Sequence, residues 1–298
     1  MGGISDMDWE PRPVTDTVVI EAGPVAAFQA LLDDGLPEVG RGDRLPPLWH
    51  WLAVPTWSPS TTLGVDGHPR RGSFLPPIDL PRRMFAGGEV RLQAPITIGS
   101  TLRREAEVTA VEHKRGRSGE LVVVTTRTRL FDGTTLCLEE RQDLIFRGAA
   151  ERDPDAPPAA LPRSAEPGAP LRAAAPGEWE LHTDPSLLMR FSAATANAHR
   201  IHYDWPYATG VEGYPGLVVH GPLMTLALAE TARLAGMDDV GTVTHRNLAP
   251  LFCGEPARLR LAADPSRSDT QLAELVSDAP PTAGRVHTSL TLTRKAMS

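Results

Sequence analysis

The sequence predicts an α+β protein built from two similar units, each an antiparallel sheet wrapped around a helix. Three observations predict it: a Pro/Ala-rich break near the middle, the same order of helix and strands on either side of it, and a short motif that recurs. The break is GAAERDPDAPPAALPRSAEPGAPLRAAAPG, Gly148 to Gly177, which has no sustained periodicity and reads as an extended, solvated linker. It divides the 298 residues into an N-terminal unit at 1–147, the linker at 148–177 and a C-terminal unit at 178–298. Ala94-Pro95-x-x-x-Gly99 returns 155 residues later as Ala249-Pro250-x-x-x-Gly254, and Phe28 and Phe191 lie 163 residues apart in comparable helices. Counting on from those phenylalanines, Asp34 corresponds to Asn197 and Val39 to His202, so the first copy is expected to be a degenerate site that serves as scaffold and pocket wall.

In chain order, VVIEAGPVAAFQALLDD reads as a helix, and GEVRLQAPITI, TLRREAEVTAVEH, LVVVTTRTRLF and LEERQDLIFR read as strands. After the break, Asp184-Pro185 is an N-cap followed by proline at the first helical position. It leads into SLLMRFSAATAN, with Leu187, Leu188, Phe191 and Ala194 on one face. GPLMTLALAETARLAG reads as a second helix, entered at Gly221-Pro222 and ended near Gly236; its first turns are apolar nearly all round, as enclosure by a sheet requires. Strands are expected from there to the C-terminus.

Composition removes several classes of function. Thirty Lys+Arg against 37 Asp+Glu give a net charge of −7, which offers no chain-wide basic field for nucleic acid. No run of about 18 apolar residues predicts a membrane span, and MGGISDMDWEPRP does not read as a secretion signal, so a cytoplasmic protein is expected. Cys137 and Cys253 sit among apolar neighbours and read as buried, reduced thiols; no metal is expected.

Chemistry concentrates in FSAATANAHRIHYDWPY, Phe191 to Tyr207, which carries Asn197, His199, Arg200, His202, Tyr203, Asp204 and Tyr207 directly after an apolar helix. Such a loop can set an acid/base imidazole, a water-orienting amide and an anion-binding guanidinium around one small volume. His199 and His202 could share a helical face, but no cysteine or well-spaced third ligand supports a zinc site. His68 in DGHPRR is assigned to a turn. Trp49, His50 and Trp51 read either as a pocket wall or as core packing.

Asn197 and His202, five positions apart ahead of a helix, and Val219-His220-Gly221-Pro222 at that helix's entrance resemble the MaoC-like hydratases and dehydratases of the hotdog fold. FSAATANAHRIHYD, LPPLWHWL, DGHPRRGSFLPP and LPRRMFAGGEV resemble the hydroxyacyl-thioester dehydratase type 2 branch, especially 3-methylfumaryl-CoA (mesaconyl-CoA) and itaconyl-CoA hydratases. The resemblance implies a double hotdog that adds water reversibly across an α,β-unsaturated acyl thioester, with citramalyl-CoA on the product side.

It implies that His202 transfers the proton and that Asn197, an amide where many relatives carry an acid, orients water. Pro222 has no N–H, so the thioester oxygen falls to the amide of Gly221, with Leu223 as a second donor and His220 as a brace. Arg70, Arg71, Arg82, Arg83, Arg200 and the group Lys114, Arg115 and Arg117 are candidates for coenzyme A phosphates; Arg200, with Tyr203 beside it, is favoured for a second carboxylate. Coenzyme A enters as part of the substrate, no other cofactor is expected, and a homodimer is compatible with the fold. The alternatives are a 3-hydroxyacyl-ACP dehydratase, a thioesterase of the same fold and a non-catalytic acyl-thioester binding module.

Overall fold

The computed structural model describes residues 9–54, 56–116, 119–149, 168–278, 280 and 282–295. The first half contains β1 (Val14–Val19), α1 (Ala22–Leu32), α2 (His50–Ala53), β2 (Arg82–Leu92), β3 (Thr101–Gly116), β4 (Gly119–Asp132) and β5 (Thr135–Arg147). The second contains β6 (Leu171–Ala175), β7 (Glu178–Leu181), α3 (Pro185–Ala194), α4 (Gly221–Leu234), β8 (Val240–Asn247), β9 (Ala257–Asp264), β10 (Arg267–Ser277) and β11 (Val286–Arg294).

All eleven strands form one sheet in the order β1-β3-β4-β5-β2-β8-β11-β10-β9-β7-β6. Read outward from the central β2–β8 pair, the two sides present the same succession: β2 matches β8, β5 matches β11, β4 matches β10, β3 matches β9 and β1 matches β7. The antiparallel join sets Val90 opposite Val243, both fully buried. The repeated motif falls at one place in each half, after β2 and after β8, where Gly99 and Gly254 both take positive φ.

Helix α4 buries ten consecutive residues, Leu223 to Ala232, and packs against β2, β8, β9, β10 and β11. The all-round apolar sequence is thus satisfied by a sheet that curls around it. Its counterpart before β2 in the first half is the single turn α2, which the sequence reading did not anticipate. Asp184 caps α3 as expected, its Oδ1 accepting from the Leu187 amide at 2.7 Å.

Two readings need correction. The start of the expected first helix is strand β1, because the β-branched run VTDTVV pairs with β3 and sets a half-buried Val18 opposite Leu102. Part of the expected linker, Leu171–Ala175, is strand β6 paired with β7; residues 150–167 of that run lie outside the described residues. Cys137 and Cys253 are buried and free, as read. Among the described residues no helix is long and apolar enough to cross a membrane.

Candidate active site

The loop after α3, the entrance of α4, the start of β2 and the end of β8 enclose a cavity of ≈ 470 Å³. Its walls include Asn197, His199, His202 and Gly221 from the second half, and Trp51, His68, Arg82, Arg83 and Phe85 from the first. Asn197, His202 and Gly221 are therefore brought together, 24 residues of sequence notwithstanding.

The loop holds His202 in one tautomer. Nδ1 lies 2.6 Å from the Val218 carbonyl, and a carbonyl only accepts, so Nδ1 carries the proton and Nε2 keeps its lone pair. Burial first, then the neighbouring imidazoles of His220 and His199, hold its pKa well below the ordinary value. His220 stacks on it, ring centroids 3.6 Å apart, and its Nε2 lies 2.8 Å from Ser192 Oγ on α3. Burial brings His220 down to about 3, so both rings are neutral at pH 7. Asn197 Oδ1 accepts from the His199 amide at 3.1 Å, which fixes the side chain and leaves Nδ2 and a second oxygen lone pair for other partners.

Gly221 opens α4 on the cavity wall, where the first-turn amides have no intrahelical acceptor and the helix dipole is positive. A Cβ on Gly221 would stand 3.2 Å from Phe85 Cδ1, so the backbone approaches the slot where a side chain would close it. Leu223 does not line the cavity; its side chain is core. Of the two, only Gly221 lines the cavity.

Arg82 and Arg83 line the cavity, but Arg200 and Tyr203 do not. Arg200 is bound to Asp204 at 2.7 Å, lies over the Tyr207 ring and donates to the Val65 carbonyl at 3.0 Å, while its own amide donates to the Asp66 carbonyl. It fastens a first-half loop to the loop that carries Asn197 and His202 and does not line the cavity. Tyr203 is 44% exposed and donates to the Ala198 carbonyl, so it turns outward. Arg71 donates to the carbonyls of Ile78, Leu80 and Pro81, and Arg70 to that of Leu63. Lys114 and Arg115 line a different groove at the β3–β4 turn, and Arg117 lies outside the described residues.

Several residues at the site escaped the sequence reading. His68 belongs to the wall: its ring lies 4.2 Å from that of His199, and its Nδ1 lies 3.1 Å from Asp66 Oδ2. Burial lowers His68 to about 3. Asp66, His68 and His199 bring possible ligand atoms within 4.8 Å of one another, a juxtaposition across the two halves that spacing could not reveal. Buried Glu212 stands 3.6 Å from His199 Nε2 and 3.8 Å from Arg82 Nε. Trp51 joins the wall, whereas Trp49 and His50 are buried around α1 and Glu140. Asn247 reaches the cavity from the end of β8, its Oδ1 accepting from Thr288 at 2.8 Å. The inward polar residues of THRN on an otherwise apolar strand were the available signal.

Comparison with known proteins gives the family and the fold. Residues 48–253 match the family described as hydroxyacyl-thioester dehydratase type 2. The chain is 41% identical over 282 residues to mesaconyl-C(4)-CoA hydratase of Chloroflexus aurantiacus, covering 90% of this chain and 94% of the relative. It is 26% identical over 271 residues to the mitochondrial hydroxyacyl-thioester dehydratase type 2 of Schizosaccharomyces pombe, covering 80% and 87%. The crystal structure of HtdX from Mycobacterium tuberculosis superposes with a TM-score of 0.63 at 19% identity, over 95% of this chain and all of that one. A second M. tuberculosis protein, described as a double hotdog, superposes at 0.53 with 18% identity over 96% and 95%. The fold is thus an α+β double hotdog. With a family match across most of its length and a 41% identical hydratase relative, the chain belongs to the hydroxyacyl-thioester dehydratase type 2 family, a family of hydro-lyases.

Proposed function

We propose that the protein reversibly hydrates a short, branched, dicarboxylic enoyl-CoA, with 3-methylfumaryl-CoA or itaconyl-CoA as substrate and citramalyl-CoA as product. The observation that carries the reaction type is the pairing of a neutral, Nδ1-protonated His202 with the amide end of α4 across one cavity. The similarity to a mesaconyl-C(4)-CoA hydratase supports the acyl class.

His202 Nε2 removes a proton from water as the oxygen adds to the β carbon. In 3-methylfumaryl-CoA, whose alkene is conjugated to the thioester, the electron pair of the alkene moves through the α carbon onto the thioester oxygen, forming an enolate. The Gly221 N–H and the positive end of α4 stabilise that oxygen; a preorganised donor of this kind contributes about 3 kcal/mol in other enzymes. The imidazolium then returns its proton to the α carbon, so water has been added and the base regenerated. Burial makes His202 a weaker base but its imidazolium a stronger acid, which speeds the second transfer. Asn197 orients the water through its amide. No metal enters these steps, and coenzyme A travels with the substrate.

The first half supplies the opposite wall, and residues 1–147 and 178–298 are read as the two units of the duplication. Incubating the purified protein with a panel of enoyl-CoA thioesters and measuring the mass increase of one water tests the reading. Hydration confined to long linear acyl groups on acyl carrier protein would favour the dehydratase alternative, and release of free thiol would favour a thioesterase.

A further inference from the structure

We infer that Arg83 grips a free carboxylate on the acyl chain and is the residue that selects dicarboxylic thioesters. The inference rests on the hydration reading above and gives it a specificity determinant.

Arg83 stands on strand β2 and lines the catalytic cavity. Among the described residues its side chain makes no hydrogen bond or ion pair, and, unlike Arg82 Nε, its guanidinium nitrogens are not sealed from solvent. Protein encloses it closely enough that burial brings it down to about 10, still charged at neutral pH. A charge held this deep without a partner is unfavourable, and an incoming anion relieves it.

The other cations near the cavity are engaged. Arg82 is held by Glu212 and lies 4.7 Å over the Tyr214 ring, Arg71 is spent on three carbonyls, and Arg200 is bound to Asp204. Asp66 lies in the field of Arg83, but its Oδ1 accepts from the His68 amide at 3.0 Å and its Oδ2 faces His68 Nδ1 at 3.1 Å. Asp66 keeps its charge and acts on Arg83 only through space, because both of its oxygens are turned to His68.

The position favours the acyl end over the phosphates of coenzyme A. Arg83 lies close enough to His68 to depress its protonation, the His68 ring is 4.2 Å from that of His199, and His199 is 5.5 Å from His202. The guanidinium therefore ends a continuous wall that begins at the proposed base, whereas the pantetheine arm carries the phosphates many bonds from the thioester. A planar guanidinium with two parallel donors matches a carboxylate and fixes the alkene's rotation as well as its depth.

The test uses the full chain and the variants Arg83→Gln and Arg83→Lys. Each is assayed with 3-methylfumaryl-CoA and with the methyl ester of its free carboxylate. The wild type should prefer the acid, and Arg83→Gln should cut the acid-to-ester ratio of kcat/KM by at least tenfold, the size expected for losing a charge-assisted pair. Arg83→Lys should recover part of the ratio. An equal loss on both substrates would reduce Arg83 to a structural role and overturn the proposal, as would no loss on the acid.

Calorimetric binding of saturated methylsuccinyl-CoA and its methyl ester separates this question from turnover. If the wild type binds the acid through Arg83 but hydrates nothing, the hydration reading fails while the carboxylate site stands. Repeating the binding with pantetheine thioesters distinguishes the anion: a preference that survives removal of the nucleotide phosphates supports the acyl carboxylate, and one that vanishes overturns it.

Discussion

The imidazoles of His202 and His220 lie face to face, their planes inclined by 18°. Two buried rings at that separation cannot readily both be charged, and each raises the cost of protonating the other. The pair therefore keeps His202 neutral over a pH range in which an isolated imidazole would be partly protonated. His202→Ala should lower kcat by at least about 100-fold, the usual size of a general acid–base contribution. In the wild type, kcat/KM should stay level from pH 8 down through 6.5 and fall only in more acid solution, because the folded pKa of His202 is depressed. A pH profile with its acid midpoint at 6.5 would contradict the assignment.

Ser192 is the outer anchor of this stack. Its hydroxyl lies 2.8 Å from His220 Nε2, on a helix whose other buried residues, Leu187, Leu188 and Phe191, are apolar. Ser192→Ala leaves His220 without that partner and frees the ring to tilt away from His202. Turnover should fall about tenfold, the order expected for losing one hydrogen bond, while KM and melting temperature change little. Steady-state kinetics beside a thermal melt would show this split; a loss confined to stability would count against the anchoring role.

Gly67 brings the two halves together at the site. It has φ +89°, and a Cβ there would run into the Ala198 carbonyl, beside the loop that carries Asn197 and His199. Gly67→Ala must push the two loops apart, breaking the Arg200–Val65 and Arg200–Asp66 hydrogen bonds that bind them. Activity should drop at least tenfold with the far-UV circular dichroism spectrum retained. Full activity would mean that the loop carrying Asn197 and His202 does not depend on the first half for its position.

How much of this was legible follows from how each feature is encoded. The cap at Asp184 and the apolar surround of α4 depend on residues close in sequence, so periodicity and spacing found them; Asn197 and His202 were singled out by their resemblance to the MaoC-like motif, and both line the cavity. The wall that His68 and Phe85 build depends on the chain folding back over more than a hundred residues, and no local pattern carries that; Arg83 was a candidate cation, but its place beside His68 was not legible. Arg200 was misread for a related reason. Its neighbours in sequence face the cavity, but the short helical turn at Arg200–His202 sends its side chain to Asp204 and the first-half loop. Strand β6 was hidden because alanine is a weak strand former and its pairing partner, β7, supplies the order.

Glu230 gives a stability prediction remote from catalysis. It sits on α4, 1% exposed, beside Trp49 Nε1 at 3.4 Å, the Arg233 guanidinium and Asp34. Burial outweighs the attraction of Arg233 and pushes its pKa up to about 8, with Asp34 adding to the rise. A carboxyl that holds its proton more tightly when folded contributes stability in full below its unfolded pKa near 4.5, and loses it as pH rises through about 8. Urea unfolding should therefore show stability falling between pH 5 and 8.5 by an amount on the order of 2–4 kcal/mol. Glu230→Gln keeps the shape and removes the ionisation, so its stability should be flatter over the same range and exceed the wild type's at pH 8.5. A variant with the same slope as the wild type would place the responsible group elsewhere.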